Sequence, residues 1–280
     1  MKNDIFFLKQ KSIEIRKKVW QLIYKHQTGH TSSDFSCTDI LVALYYDALK
    51  QTPETFQTKD ADTYIQSKGH AAEVYFEILA DRGYFDPQEL NNFSKFKSHY
   101  IGHPTNDING VELNTGSLGH GLGLGVGIAL AAKLDNLSKK TFVLMGDGEQ
   151  AEGSVWEAAM AAGNYHLNNL VAIVDHNNLQ ITGPTDKVMH SNPLKEKYQA
   201  FGWDVIEIDG HNFHELTSAL NESNTTTKPR MIIANTIKGK GISFMEDVAS
   251  WHHGIPNEEQ YLQGLKELDI QLEELQNGEK

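Results

Sequence analysis

Two short stretches carry oxygen ligands at a spacing that suits a cation. Gly146-Asp147-Gly148 follows one apolar run and Asn177-Asn178 follows another, with Asp147 and Asn177 30 residues apart. If those runs are neighbouring parallel strands, the carboxylate and the amide carbonyl converge at the carboxyl edge of one sheet, where open α/β sheets bind ligands. Such hard oxygens suit Mg²⁺ or Ca²⁺, and a Mg²⁺ with few protein ligands fills its shell with phosphate oxygens and water. The pair predicts a metal-bridged phosphate ligand; a lone Gly-Asp-Gly would equally serve as a turn.

The run Thr115-Gly116-Ser117-Leu118-Gly119-His120-Gly121-Leu122-Gly123-Leu124-Gly125-Val126-Gly127 leads into a helix-like stretch, Ile128 to Leu134. Glycine lets backbone approach a ligand closely, and a helix N-terminus attracts phosphate, so the run could seat a diphosphate. Close helix packing is the competing use. The spacing matches neither G-x-G-x-x-G nor G-x-x-x-x-G-K-[ST], so neither a Rossmann fingerprint nor a P-loop is supported. Of 13 histidines, several stand beside glycine: Gly29-His30, Gly69-His70, Gly102-His103-Pro104, Gly119-His120 and Trp251-His252-His253-Gly254. Imidazoles gathered at one phosphate pocket could donate, accept or shuttle protons.

The elements that must position these residues follow from hydrophobic periodicity. Ile5 to His26 has helical spacing, and a second helix is expected from Thr38 as its cap, with Asp39 in the first turn, toward Leu49. Asp62 to Ile65 reads as a short strand, followed by a helix through Val74, Phe76 and Leu79. Asp86 caps a short helix to Phe93, and Tyr100 to Leu118 is loop. Thr141 to Met145, Ala151 to Leu167 and Leu170 to Val174 form a β-α-β unit. Strand-like Val205 to Ile208 and Met231 to Ala234, flanking helix-like His214 to Leu220, extend the alternation; Glu258 to Leu275 is an acidic surface helix. The predicted class is α/β, a mostly parallel sheet with helices on both faces, in one domain spanning 1–280.

Composition narrows the function. There are 25 Lys plus Arg against 37 Asp plus Glu, a formal net charge of −12, and no basic run longer than Arg16-Lys17-Lys18, which speaks against a nucleic-acid partner. The lone Cys37 can form neither an internal disulfide nor a multi-thiolate metal site. Ile5 to Leu8 is too short for a signal-peptide core, and Gly121 to Ala132 is too short to cross a membrane. A cytoplasmic protein without membrane association is expected.

The segment GDGEQAEGSVWEAAMAAGNYHLNNLVAIVDHNNLQITG resembles the thiamine diphosphate motif. Together with SKGH, GHP, TGSLGHG and TIKGKG, in this order, it is similar to transketolase. The resemblance is confined to the diphosphate-binding domain of that family, so it implies the N-terminal subunit of a split transketolase. The pyrimidine-binding domain, with the glutamate that activates the aminopyrimidine, would lie on a separate C-terminal subunit, two copies of each chain forming a heterotetramer. By resemblance, thiamine diphosphate and Mg²⁺ are the cofactors, with Ca²⁺ as a substitute. Asp147, Asn177 and the Leu179 carbonyl are the implied metal ligands. Gly146 and Gly148 pass close to the diphosphate, Gly116 and Leu118 contact the cofactor, and Ser33 and Lys238 approach it. His30, His70, His103 and one of His252 and His253 line the substrate channel, with His70 also near the diphosphate. Glu152 matches a glutamate of the family's cofactor and dimer-interface network. The implied reaction moves a two-carbon ketol unit from a ketose, usually phosphorylated, to an aldose. Thr31-Ser32-Ser33 stands where Pro often follows the histidine, and His120 where many long members have Gln. A deoxyxylulose-phosphate synthase-like subunit is the enzymatic rival, disfavoured by Gly102-His103-Pro104 and Glu152; a non-catalytic binding protein is the other.

Overall fold

The computed structural model describes residues 4–222 and 226–278. Helix α1, Ile5–His26, opens it, capped by Asp4. Helix α2, Thr31–Ala43, runs into a π turn at Leu44–Ala48. Strand β1, Thr63–Gln66, leads to α3, Ala72–Asp81, and a 3-10 turn over Pro87–Asn92. After the long loop come α4, Gly121–Leu134, β2, Thr141–Gly146, α5, Gly153–Asn164, and β3, Leu170–His176. A small hairpin, β4 (Leu179–Gln180) with β5 (Gly183–Pro184), precedes the short helices α6, Thr185–Val188, and α7, Leu194–Ala200. The chain closes with β6, Asp204–Asp209, α8, Phe213–Asn221, β7, Arg230–Asn235, and α9, Glu258–Asn277.

The main sheet has the order β1-β2-β3-β7-β6 and every pairing is parallel. Side chains alternate across each strand, so the two faces can be read separately. Tyr64, Phe142, Leu144, Val171, Ile173 and Ile232 enter the core built with α1, α2, α3 and α8. Ile65, Val143, Met145, Ala172, Val174 and Met231 enter the core built with α4, α5 and α7. Helices therefore cover both faces, as the near-continuous apolar strands require.

Two helix starts differ from expectation. Helix α2 begins at Thr31, seven residues before Thr38. The Thr38 hydroxyl instead donates to the Asp34 carbonyl one turn back at 2.8 Å, a mid-helix use of threonine. Asp39 is held by Arg16, whose Nη1 and Nη2 donate to its two oxygens at 2.9 and 2.8 Å, while His211 Nδ1 lies 2.6 Å from Oδ2. This bidentate pair ties α2 to α1. Helix α4 begins at Gly121, so the glycines to Gly127 lie inside it. A side chain at Gly121 would meet Ser67, and one at Gly125 would meet Val143. Those glycines serve close packing of α4 on the sheet, and the expectation that this stretch seats a diphosphate is corrected for 121–127. The tail helix α9 is acidic, as expected, and docks on α1 through Leu268 and a stacked Tyr24–Tyr261 pair, 3.9 Å between centroids. Among the described residues no helix is long and apolar enough to cross a membrane.

Candidate functional site

Strands β1, β2, β3 and β7 all point their carboxyl ends at one cavity of about 470 Å³. β1 delivers Lys68 and His70, β2 delivers Gly146, Asp147, Gly148 and Glu149, and β3 delivers Asn177, with Leu179 following in β4. β7 delivers Lys238, the start of α2 delivers His30 and Ser33, and loops bring His103, Gly116, Leu118, His252 and His253. Register places Gly146 opposite Asp175, which sets the β2 and β3 loops side by side.

Asp147 is buried. Its Oδ2 accepts from the Asn178 backbone N–H at 2.5 Å, while Oδ1 has no partner. Burial pushes its carboxyl up, against the opposing pull of His176 and the Asn178 N–H. An orphaned, buried carboxylate oxygen is costly, and a cation would satisfy it. Asn177 lies beside it with Oδ1 accepting from the Leu179 N–H at 3.1 Å. Leu179 is in register with Pro184, which has no N–H to offer its carbonyl. This donor set, all hard oxygen, fits Mg²⁺ or Ca²⁺.

Beneath the cavity lies a buried ion pair. Lys68 Nζ donates to Asp175 Oδ2 at 2.5 Å and to the Ser33 carbonyl at 3.0 Å, and both side chains are 1% exposed or less. Burial would raise the Asp175 carboxyl, but the Lys68 ammonium, with Ser36 and Thr236 hydroxyls, holds it below the ordinary range. Glu149 fastens three loops together, accepting from Ser67 Oγ, from the Gly119 N–H at 2.9 Å and from the Gly146 N–H at 3.0 Å. Lys238 is pushed down to about 8 by burial and by Lys68.

The five histidines form one cluster around His30. Its ring centroid is 5.4 Å from His70, 5.6 Å from His103, 5.7 Å from His252 and 4.5 Å from His253. Burial, then neighbouring positive charge, pushes His30 down to about 4 and His252 down to about 3; His70 also falls well below its usual value, and burial lowers His103. These four imidazoles are neutral at pH 7, each with one N–H to donate and one nitrogen to accept. His252 is buried and His253 exposed, yet both line the cavity. Gly116 has φ +135°, and any side chain there would strike the His103 ring. Glycine is what lets these two loops close on one another.

The family profile described as "Transketolase, thiamine diphosphate binding domain" matches residues 9–270. The chain belongs to this family. An apulose-4-phosphate transketolase subunit of Phocaeicola vulgatus is 43% identical over 270 residues, 96% of each chain. The 6-deoxy-6-sulfo-D-fructose transketolase subunit SqwG of Clostridium sp. is 37% identical over 257 residues, 91% of this chain and 94% of that one. Human transketolase is 37% identical over 226 residues, 80% of this chain but 36% of the human protein. The crystal structure of Campylobacter jejuni transketolase superposes with a TM-score of 0.85 at 28% identity, covering 98% of this chain and 48% of that one. The chain thus spans about half the length of the transketolase structures it matches.

Of the residues that the transketolase resemblance singled out, the structure brings His30, Ser33, His70, His103, Gly116, Leu118, Gly146, Asp147, Gly148, Asn177, Leu179, Lys238, His252 and His253 to the cavity wall. Glu152 does not join them: it is exposed at the N-cap of α5, off the wall of this chain's own cavity. His120 is also exposed and off the wall. Reasoning from sequence missed Lys68, Glu149, Gln180, Ile181, Thr182 and Val188 as lining residues. Lys68 sits inside the SKGH motif and Glu149 directly after Gly-Asp-Gly, so both were within reach.

Proposed function

We propose that this chain is one thiamine diphosphate-binding domain, the N-terminal subunit of a two-chain transketolase. With thiamine diphosphate and Mg²⁺, or Ca²⁺ in its place, the complex transfers a two-carbon ketol unit from a ketose or ketose phosphate to an aldose or aldose phosphate. The observation that carries this is Asp147 Oδ1, buried without a partner in the same cavity as Asn177, Leu179 and five histidines.

Asp147, Asn177 and the Leu179 carbonyl would hold the metal, and Gly146 and Gly148 leave room for a diphosphate beside it. The Lys238 ammonium persists at pH 7 and attracts that diphosphate. Ser33, Gly116 and Leu118 position the rest of the cofactor. Bound there, the cofactor supplies the electron sink for breaking and forming the carbon–carbon bond. His30, His70, His103, His252 and His253 bind sugar hydroxyls and move protons, for which imidazoles next to one another are suited.

The partner is a C-terminal subunit carrying the pyrimidine-binding domain, in a heterotetramer with two copies of each chain. Support comes from two relatives of nearly equal length whose names call them transketolase subunits. Those names include a phosphate and a sulfo sugar, which favours an anionic ketose donor. A buried Cys37 thiol outside any disulfide and a formal net charge of −12 support a cytoplasmic enzyme with no nucleic-acid or membrane partner.

The test is reconstitution. The chain is purified alone and co-expressed with its pyrimidine-domain partner, and ketol transfer is assayed with thiamine diphosphate and Mg²⁺. Activity only in the complex is expected. A stable complex inert toward every phosphorylated ketose and aldose pair would overturn the proposal.

A further inference from the structure

We propose that His30, His252 and His253 form a three-nitrogen site for a borderline transition-metal ion such as Zn²⁺, and that its occupancy blocks the cavity to substrate. One ligand nitrogen from each ring lies within 4.8 Å of the other two, and no carboxylate joins the group among the described residues. A tetrahedral Zn²⁺ with Zn–N bonds of about 2.0–2.1 Å sets its ligand nitrogens about 3.3 Å apart. The cluster therefore needs each ring to close by less than about 1 Å, a small side-chain rotation. The His30–His253 and His252–His253 centroids are 4.5 and 4.7 Å apart, the first pair tilted and the second edge to face, so neither pair is stacked.

Three further features favour metal over an empty cluster. His30 Nδ1 is buried and without a partner, so metal binding need break no hydrogen bond on that side of the ring. His252 Nδ1 lies 3.4 Å from Ser33 Oγ, an outer contact of the kind that fixes a metal-bound imidazole's orientation. The cluster also runs from buried His252 through half-buried His30 to exposed His253, so an ion can enter from solvent and keeps a fourth position open to the cavity. Imidazole selects Zn²⁺, Cu²⁺ or Ni²⁺ over Mg²⁺, whose preferred ligands are the oxygens around Asp147. Both donor sets line the same cavity, with different ligand chemistry.

The inhibitory half rests on the proposed function; the site itself does not. The metal-free full chain is titrated with Zn²⁺ against a chromophoric chelator in millimolar Mg²⁺. One equivalent bound per chain is expected, at least 10-fold weaker in His253→Ala and in His252→Ala and unchanged in the exposed control His99→Ala. Exposed His253 can be replaced without disturbing the fold, which circular dichroism checks. In the assembled enzyme, Zn²⁺ should raise the apparent KM of the donor sugar and leave that of thiamine diphosphate unchanged. Absence of stoichiometric binding, or binding retained in the His252→Ala/His253→Ala double variant, would overturn the site. Stoichiometric Zn²⁺ in a fully active complex would overturn the blockade. An inactive complex would instead refute the transketolase reading, with the titration still deciding the site.

Discussion

Replacing Lys68 with methionine removes one half of the ion pair under the cavity and leaves Asp175 fully buried. The variant retains the Ser36 hydroxyl, 2.6 Å from Oδ2, and the Thr236 hydroxyl on Oδ1, but loses the cation in contact with the carboxylate. Breaking a buried pair from one side costs about 3–5 kcal/mol. The two remaining hydroxyl donors put this site near the lower figure, about 3 kcal/mol. For a domain of this size a loss of that order lowers Tm by about 6–12 °C. The effect should depend on pH with a defined sign. Stranded in the variant, Asp175 has its folded pKa raised above its unfolded value, so the variant keeps most stability at low pH and loses it as pH rises. Urea unfolding of Lys68→Met at pH 5 and pH 8 measures both, and Lys68→Met/Asp175→Asn should recover more than half of the loss at pH 8. A loss below about 1 kcal/mol, equal at both pH values, would refute the buried pair.

Glu73 and Asp34 are both fully buried; burial, and for Glu73 also the neighbouring Asp34, raises both carboxyls, while Lys68 opposes at Asp34. Because a raised carboxyl contributes its stability below the ordinary carboxylate range and loses it as pH rises through the folded value, Glu73→Gln should gain stability relative to the parent between pH 5 and pH 8; a gain that shrinks with pH would contradict this. Gly116→Ala forces an alanine into φ +135° and against His103, and should cost about 1–3 kcal/mol in thermal melts; an unchanged Tm would show that the two loops are not locked together. Glu149→Ala removes the acceptor for Ser67, Gly119 and Gly146, and should weaken thiamine diphosphate binding in the complex at least 10-fold through Gly146 and Asp147, although Glu149 bears on the cofactor only through them.

The β-α-β unit was legible because its strands are short unbroken apolar runs and its helix has a clear 3.6-residue period. The neighbouring strands then put Asp147 next to Asn177 with no further information. The start of α2 was hidden because the helix is buried on every side, including Ser33, Asp34 and Asp39, so no amphipathic stripe marks it. The start of α4 was hidden for the opposite reason. Four glycines oppose helix formation locally by about 1 kcal/mol each, and only contact with Ser67 and Val143 explains why two of them are there. At the site, the histidines announced themselves through type and loop context, whereas Lys68 and Glu149 do their work through partners far away in sequence. Lys68 meets Asp175 107 residues on, and Glu149 meets Ser67 82 residues back. Glu152 is exposed and off the cavity wall, so the role that its motif match implies is not one this chain's own cavity displays.

The central claim is that Asp147 anchors a metal-bridged diphosphate. It is tested most directly by calorimetric titration of thiamine diphosphate into the assembled two-chain complex, with Mg²⁺ and after chelation, for the parent and for Asp147→Ala. The account predicts tight binding in the parent only with Mg²⁺, and at least a 100-fold loss in Asp147→Ala that added Mg²⁺ does not restore. Equal affinity in parent and variant, or binding indifferent to chelation, would contradict it.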